Sequence, residues 1–172
     1  MIADKIRKLI EEELEDVETV ALGIITQVDL QKPRCNVKLK HKIKGQEIEL
    51  FDVPIVFPKF HGSSIIFAPH EGDVVLVVFS KYELEEQLKN RETVAVNEIF
   101  RFNVNNAIVI AGVYTLVDKI PPIQEDEILI WHRTGAYIKF KADGSIEIRG
   151  KSINIREDLT DGEIESNKQI YY

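Results

Sequence analysis

The sequence predicts a mainly β chain: an N-terminal helix, a five-stranded barrel, and a C-terminal series of short strands that depends on sister chains for burial. Three observations lead there. Apolar residues recur at three and four over the first 18 residues, at two between residues 20 and 114, and at two again in shorter runs after Pro121-Pro122. A length of 172 residues with 44% hydrophobic content suits one domain of about 150 residues with appendages. A disordered chain is excluded on the same numbers. The formal net charge of −7 argues against a general nucleic-acid binder, because neutralising phosphate needs a basic surface.

In the N-terminal segment, residues 1–18, Ile2, Ile6, Leu9, Ile10 and Leu14 fall on one helical stripe while Glu11, Glu12, Glu13, Glu15 and Asp16 fill the other side. Such a helix lies on its own domain or against the same helix of a sister chain. No run in residues 1–17 has the 7–15 or so uninterrupted apolar residues of a signal peptide. No stretch approaches the roughly 18 of a membrane helix. The expectation is a chain made and folded in a cytoplasm.

Strands are predicted at residues 20–30, 35–43, 47–54, 73–80 and 106–114, with turns at Lys32-Pro33 and Lys44-Gly45. Ser80, with Glu83 three residues on, reads as the cap of a helix over residues 81–88. Five strands with a helix between the fourth and fifth is the order of an OB-fold, here residues 19–118. Beyond Pro121-Pro122, short strands are predicted at residues 127–132, 136–141, 145–149 and 152–155, separated by Thr134-Gly135, Asp143-Gly144 and Gly150. Ile146, Ile148, Ile153 and Ile155 alternate with polar residues, and so short a ladder with one apolar face is marginal alone. Either it folds back on the barrel or copies of it bury one another. From residue 157 the chain is acidic and polar apart from Ile164, Ile170, Tyr171 and Tyr172, which reads as a frayed tail or a continued ladder.

Chemistry-bearing constellations are sparse. Cys35, the single cysteine, rules out an intrachain disulfide and sits in an apolar-alternating strand as a small core residue. His41, His61, His70 and His132 are scattered, and no phosphate loop, nucleophile elbow or metal-spaced histidine pair occurs. The expectation is a protein that is not an enzyme, with no cofactor and no metal site. Lys38, Lys40, Lys42 and Lys44 share one side of the predicted second strand, which on an OB barrel supports an alternative reading as a single-stranded nucleic-acid binder. That strand interleaves its lysines with Val37, Leu39, His41 and Ile43 instead of the aromatic platforms that stack bases, so nucleic acid is not an expected partner.

Two segments carry a family resemblance. Asp52-Val53-Pro54-Ile55-Val56-Phe57-Pro58, then Gly62, then Ala68-Pro69-His70-Glu71-Gly72-Asp73 running into Val74-Val75-Leu76-Val77-Val78-Phe79-Ser80, resembles the N-terminal OB domain of the baseplate central spike (baseplate assembly protein V-like) family of contractile-tailed phages. The opening Ala21-Leu22-Gly23-Ile24-Ile25-Thr26-Gln27-Val28-Asp29 is similar to that family's first strand. The likeness covers residues 20–114, with Asp52, Val53, Pro54, Phe57, Pro58, Gly72 and Asp73 as its motif positions.

The resemblance implies a homotrimeric OB collar leading into an intertwined β-prism or β-helix shaft, here residues 123–172. Trp131, Ile138, Phe140, Ile146, Ile148, Ile153 and Ile155 are its expected trimerisation core. It implies a virion tail baseplate, or a related contractile injection particle, as the place of assembly. The tail hub or tube and other baseplate proteins are the implied partners, with transient contact with a host envelope during puncture. Many such spikes end in an H-x-H metal tip. None occurs in this sequence, which leaves a metal-free tip or one supplied by another protein.

Overall fold

The architecture comes from a computed structural model that describes residues 2–15, 17–89, 91–96 and 101–154. The chain divides into two compact units, Met1–Asp118 and Lys119–Tyr172.

In the first unit, helix α1 (Ile2–Glu15) precedes strands β1 (Val20–Asp29), β2 (Arg34–Leu39) and β3 (Glu49–Pro54). A small hairpin of β4 (Lys59–Phe60) and β5 (Ser63–Ser64) follows, then β6 (Val74–Phe79), helix α2 (Glu85–Lys89) and β7 (Ala107–Gly112). Five strands form one antiparallel sheet in the order β3-β2-β1-β6-β7. The sheet curls until its ends meet: Ile55 bridges Val109 in parallel, and the Val56 N–H donates to Val109 O at 2.8 Å. This is the OB-like half-barrel expected from the strand order. Alternation fills it, with Ala21, Ile25, Val37, Leu39, Leu50, Val53, Val75, Val77 and Val109 all buried on the concave side.

Three local expectations need correction. The second strand ends at Leu39 and not at residue 43, because the chain bends there and closes a separate turn at Lys44 (φ 49°) and Gly45 (φ 79°) under an Ile43–Gln46 bridge. Ser80 does not cap a helix over residues 81–88. Its N–H donates to Asn106 O and its Oγ accepts the Tyr82 N–H at 3.2 Å. Lys81 O is taken by the Phe102 N–H, so the helix waits until Glu85. The hairpin β4–β5 is too short for a periodic signal and is made by the turn at His61 (φ 45°) and Gly62 (φ 86°).

The second unit holds β8 (Ile128–Trp131), β9 (Tyr137–Phe140) and β10 (Ile146–Arg149), antiparallel in the order β10-β9-β8. The fourth strand expected at residues 152–155 is not formed over 152–154, and Ile155 lies outside the described residues. The turns are those the sequence indicates, with Gly135 (φ 87°) and Gly144 (φ 84°) in the left-handed region where glycine has no steric cost. One side of this sheet satisfies itself. Trp131 stacks on Tyr137 with centroids 5.7 Å apart, and the Tyr137 hydroxyl donates to Glu147. Lys141 pairs with Glu147 at 2.8 Å and Lys139 with Glu127 at 3.0 Å. The preceding segment lies over the same side, since Lys139 Nζ also donates to Pro122 O at 3.3 Å and Glu127 Oε2 accepts the Gln124 N–H at 2.9 Å.

Two outcomes follow for stability. A Cβ built on Gly23 would stand 2.2 Å from Val37 Cγ1 and 3.0 Å from Val77 Cγ2, both wholly buried and stiff at χ1. Gly23→Ala is therefore expected to cost about 1–3 kcal/mol in denaturant unfolding, as overpacking does. In the second unit, the Gln124 N–H and then Lys139 hold Glu127 below its ordinary 4.5, Lys141 and then Tyr137 hold Glu147 below 4.5, and Ser145 holds Asp143 below 3.8. Carboxylates lowered by folding stabilise fully above their unfolded values and lose that contribution as pH falls through the folded ones. Lys141, raised above 10.5 by Glu147, contributes fully below that value and loses its contribution as pH rises through the folded one. Trp131 is the single tryptophan, so its fluorescence should hold steady from about pH 5 to about pH 9 and change at acid pH as the lowered carboxylates protonate. An unchanged signal down to about pH 2 would contradict the assignment.

Candidate functional site

The other side of the C-terminal sheet is bare. Side chains two apart share a face, and the register sets Ile128, Phe140 and Ile146 in one cross-strand row and Ile130, Ile138 and Ile148 in the next. These six apolar residues are between 37% and 65% exposed, and no described residue of the second unit is buried. Burying an isoleucine or phenylalanine side chain gains about 1.5–3 kcal/mol, so a contiguous six-residue face left in water is a large unspent driving force. Its two cross-strand rows, on strands about 4.8 Å apart, make it a surface suited to another sheet.

Of the predicted shaft residues, Ile138, Phe140, Ile146 and Ile148 come together on this face. Trp131 does not. It pairs with Tyr137 and lies on the opposite, polar side, because an odd step along β8 reverses its direction from Ile130. Ile153 is 56% exposed and outside any strand. Ile128 and Ile130 belong to the face and were missed, since β8 reads Ile-Leu-Ile-Trp with no polar residue to mark its sides. The Asp126 backbone (φ 61°) and the β8–β9 register decide what periodicity left open.

The motif positions of the barrel are a clasp. Asp52 sits at φ 53° within β3, held by the Arg34 guanidinium, which donates to Asp52 O at 2.6 Å and Oδ2 at 2.9 Å, while Asn36 Oδ1 accepts its N–H. This kink is a bulge, where Phe51 and Asp52 of β3 lie opposite the single Asn36 of β2. Val53 then enters the core, Pro54 ends the strand opposite Arg34, and Ile55 crosses to Val109. Phe57 is half-buried, and Pro58 O accepts the Ile65 N–H at 3.0 Å. At the second motif, Gly72 (φ 92°) donates to Ile25 O at 2.8 Å, Ile25 N–H donates to Asp73 O at 2.9 Å, and Asp73 Oδ2 accepts the His70 N–H at 2.7 Å. Both motifs lock strands to β1 and β2.

The other candidates resolve similarly. Burial pushes the Cys35 thiol up to about 11, so it is protonated core and no nucleophile. The basic strip expected on β2 is interrupted: Arg34 and Lys38 are paired with Asp52 and Glu47, and residues 40–44 have left the strand. His41 bonds Glu18 at 3.3 Å, and His132 bonds Thr134 at 2.8 Å. Among the described residues, no group of three His, Cys, Asp or Glu side chains is placed to hold a metal ion.

No curated protein matches the chain. The family described as phage protein Gp138, N-terminal domain, matches residues 23–112, from the first strand through the last strand of the barrel and across both clasp motifs. That stretch is more than half of the sequence and lies within residues 20–114, where the resemblance to a phage OB domain was read. The chain therefore belongs to the Gp138 N-terminal domain family of phage proteins.

Proposed function

We propose that this phage-related structural protein is the central spike of a contractile-tail baseplate, a homotrimer that caps the tail tube and helps puncture the host envelope. The observation that carries the reading is the bare six-residue apolar face of the C-terminal sheet. Three such one-layer sheets, each turning that face toward a common axis, enclose a triangular prism whose interior is dry and whose outer surface is the self-satisfied polar side. A shaft built in this way resists buckling, because unfolding one strand strips apolar surface from three chains together. The barrel, which has its own core, is suited to a collar that meets the tail hub or tube. The role asks for mechanical persistence and no bond-making step, so the chain is proposed not to be an enzyme. Its place of action is the virion.

The test is mass in solution. Wild-type chain at micromolar concentration is expected to scatter light as three times 19.7 kDa. Ile138→Asp and Ile146→Asp each place a carboxylate where three faces converge, and desolvating it costs several kcal/mol. Both variants are expected to run at 19.7 kDa while keeping the β circular-dichroism signal of the barrel. A monomeric wild type, or an aspartate variant that remains trimeric, would sink the proposal.

A further inference from the structure

The C-terminal sheet has two open edges, and the phase of its hydrogen bonds decides what can pair with each. The His132 N–H donates to Ala136 O at 2.8 Å, and the Lys141 N–H donates to Ser145 O at 2.9 Å. Hydrogen-bonded pairs recur at every second position of an antiparallel ladder. The register therefore carries them to Ile130–Ile138 and Ile128–Phe140 between β8 and β9, and to Lys139–Glu147 and Tyr137–Arg149 between β9 and β10. Leu129 and Trp131 are left with their N–H and C=O groups pointing outward along β8, and Ile146 and Ile148 with theirs pointing outward along β10. Among the described residues none of these groups has a partner, and residues 152–154 do not return along β10.

The two edges differ in which side chains go with those groups. The outward residues of β8 stand on the polar side of the sheet, in rows with Lys139 and Tyr137, whereas those of β10 stand on the apolar side. Residues opposite each other in neighbouring strands share a side. In antiparallel pairing an outward residue lies opposite an outward residue. Joined in that sense to β10 of another copy, β8 would set Leu129 beside Ile146 or Ile148 and run a polar side into an apolar one. In parallel pairing an outward residue lies opposite one whose groups point back into its own sheet, and it bonds the residues before and after that one. Leu129 then stands beside Glu147, Trp131 beside Arg149, Ile128 beside Ile146 and Ile130 beside Ile148, so both sides continue unbroken. An offset of two residues keeps this match, and an offset of one destroys it.

We infer that β8 of one copy adds in parallel to β10 of the next, so that main-chain hydrogen bonds close the corners of the shaft. The inference rests on the spike reading for the number of copies. Within a chain β8 and β10 both run antiparallel to β9 and so point the same way, and rotation about an axis that the strands follow keeps them so between chains. Pairing like edges, β8 with β8 or β10 with β10, also matches the sides, but each such contact is two-fold. It leaves one edge of every sheet bare or, used at both edges, closes a ring only with an even number of copies. Three copies satisfy every edge only through the unlike contact.

The experiment makes two full-length double variants, Leu129→Cys with Glu147→Cys and Leu129→Cys with Arg149→Cys, which stand opposite each other at no offset and at an offset of two. Each is purified reduced, checked by light scattering, mildly oxidised and run denatured without reductant. Within one chain residue 129 is two strands, about 10 Å, from residue 147 and farther from residue 149, beyond the roughly 7 Å between Cα atoms that a disulfide spans. Cys35 is buried and protonated, so the new thiols are the reactive ones. One of the two pairs is expected to give a covalent trimer as the dominant species, with each single variant remaining one chain. A covalent dimer from Leu129→Cys alone would show β8 against β8 and overturn the inference. In the unsubstituted trimer the Leu129, Trp131 and Ile148 amides are expected to exchange slowly with deuterium, and fast exchange at all three overturns it without any variant. Double variants that are trimeric in solution and yield only single chains on the gel overturn this inference alone, whereas a monomeric wild type removes the spike reading with it.

Discussion

A sheet one layer thick cannot shelter both of its sides, and the C-terminal unit is built on that constraint. Its polar side is closed by Trp131 against Tyr137, by the Lys139–Glu127 and Lys141–Glu147 pairs, and by the segment from Pro122 to Glu127 laid across it. Among the described residues nothing comparable covers the isoleucines behind it. The Lys141–Glu147 pair is half exposed and contributes little to net stability, whereas the Lys139–Glu127 pair is largely sheltered beneath the covering segment, so the polar side fixes the geometry of the sheet. The first unit works differently. Its curled sheet encloses Ile25, Val37, Leu50, Val77 and Val109 completely, a core filled by residues of one chain.

The barrel's closure depends on a few backbone events. Register shifts between Ile25 and Gln27, between Cys35 and Val37, and between Leu76 and Val77 bend the strands where the sheet must curl. Asp52 holds a left-handed backbone within a strand because Arg34 and Asn36 take up its carbonyl, carboxylate and N–H together. From that point Val53 turns inward and Ile55 reaches β7. The Asp52–Pro58 segment is thus the means by which two ends of a sheet find each other.

Much of this was legible in the residues. Period-two alternation located all five barrel strands to within a few positions, and the clasp segments pointed to a phage OB domain. Where the reading slipped, a nonlocal bond decided. Phe102 captures Lys81 O and delays α2, and the bend after Leu39 breaks the lysine strip. The C-terminal face was half visible: Ile146 and Ile148 announce their side by alternating with Glu147 and Arg149, whereas β8 has no polar residue to mark inside from outside. Trp131, which the resemblance puts in the trimerisation core, stands one step along the strand from Ile130 and so lies on the other side of the sheet.

Strand β8 is also the rim of its sheet. Among the described residues it pairs only with β9, and its four residues, Ile128–Trp131, carry no charge and no proline. Natural proteins usually blunt such a rim with lysine, proline or a bulge, since its free amides and carbonyls invite any passing strand. Here that protection is missing next to a greasy surface, so a lone chain is sticky in two directions at once. Crowding such chains together before that rim and that surface are covered favours tangles.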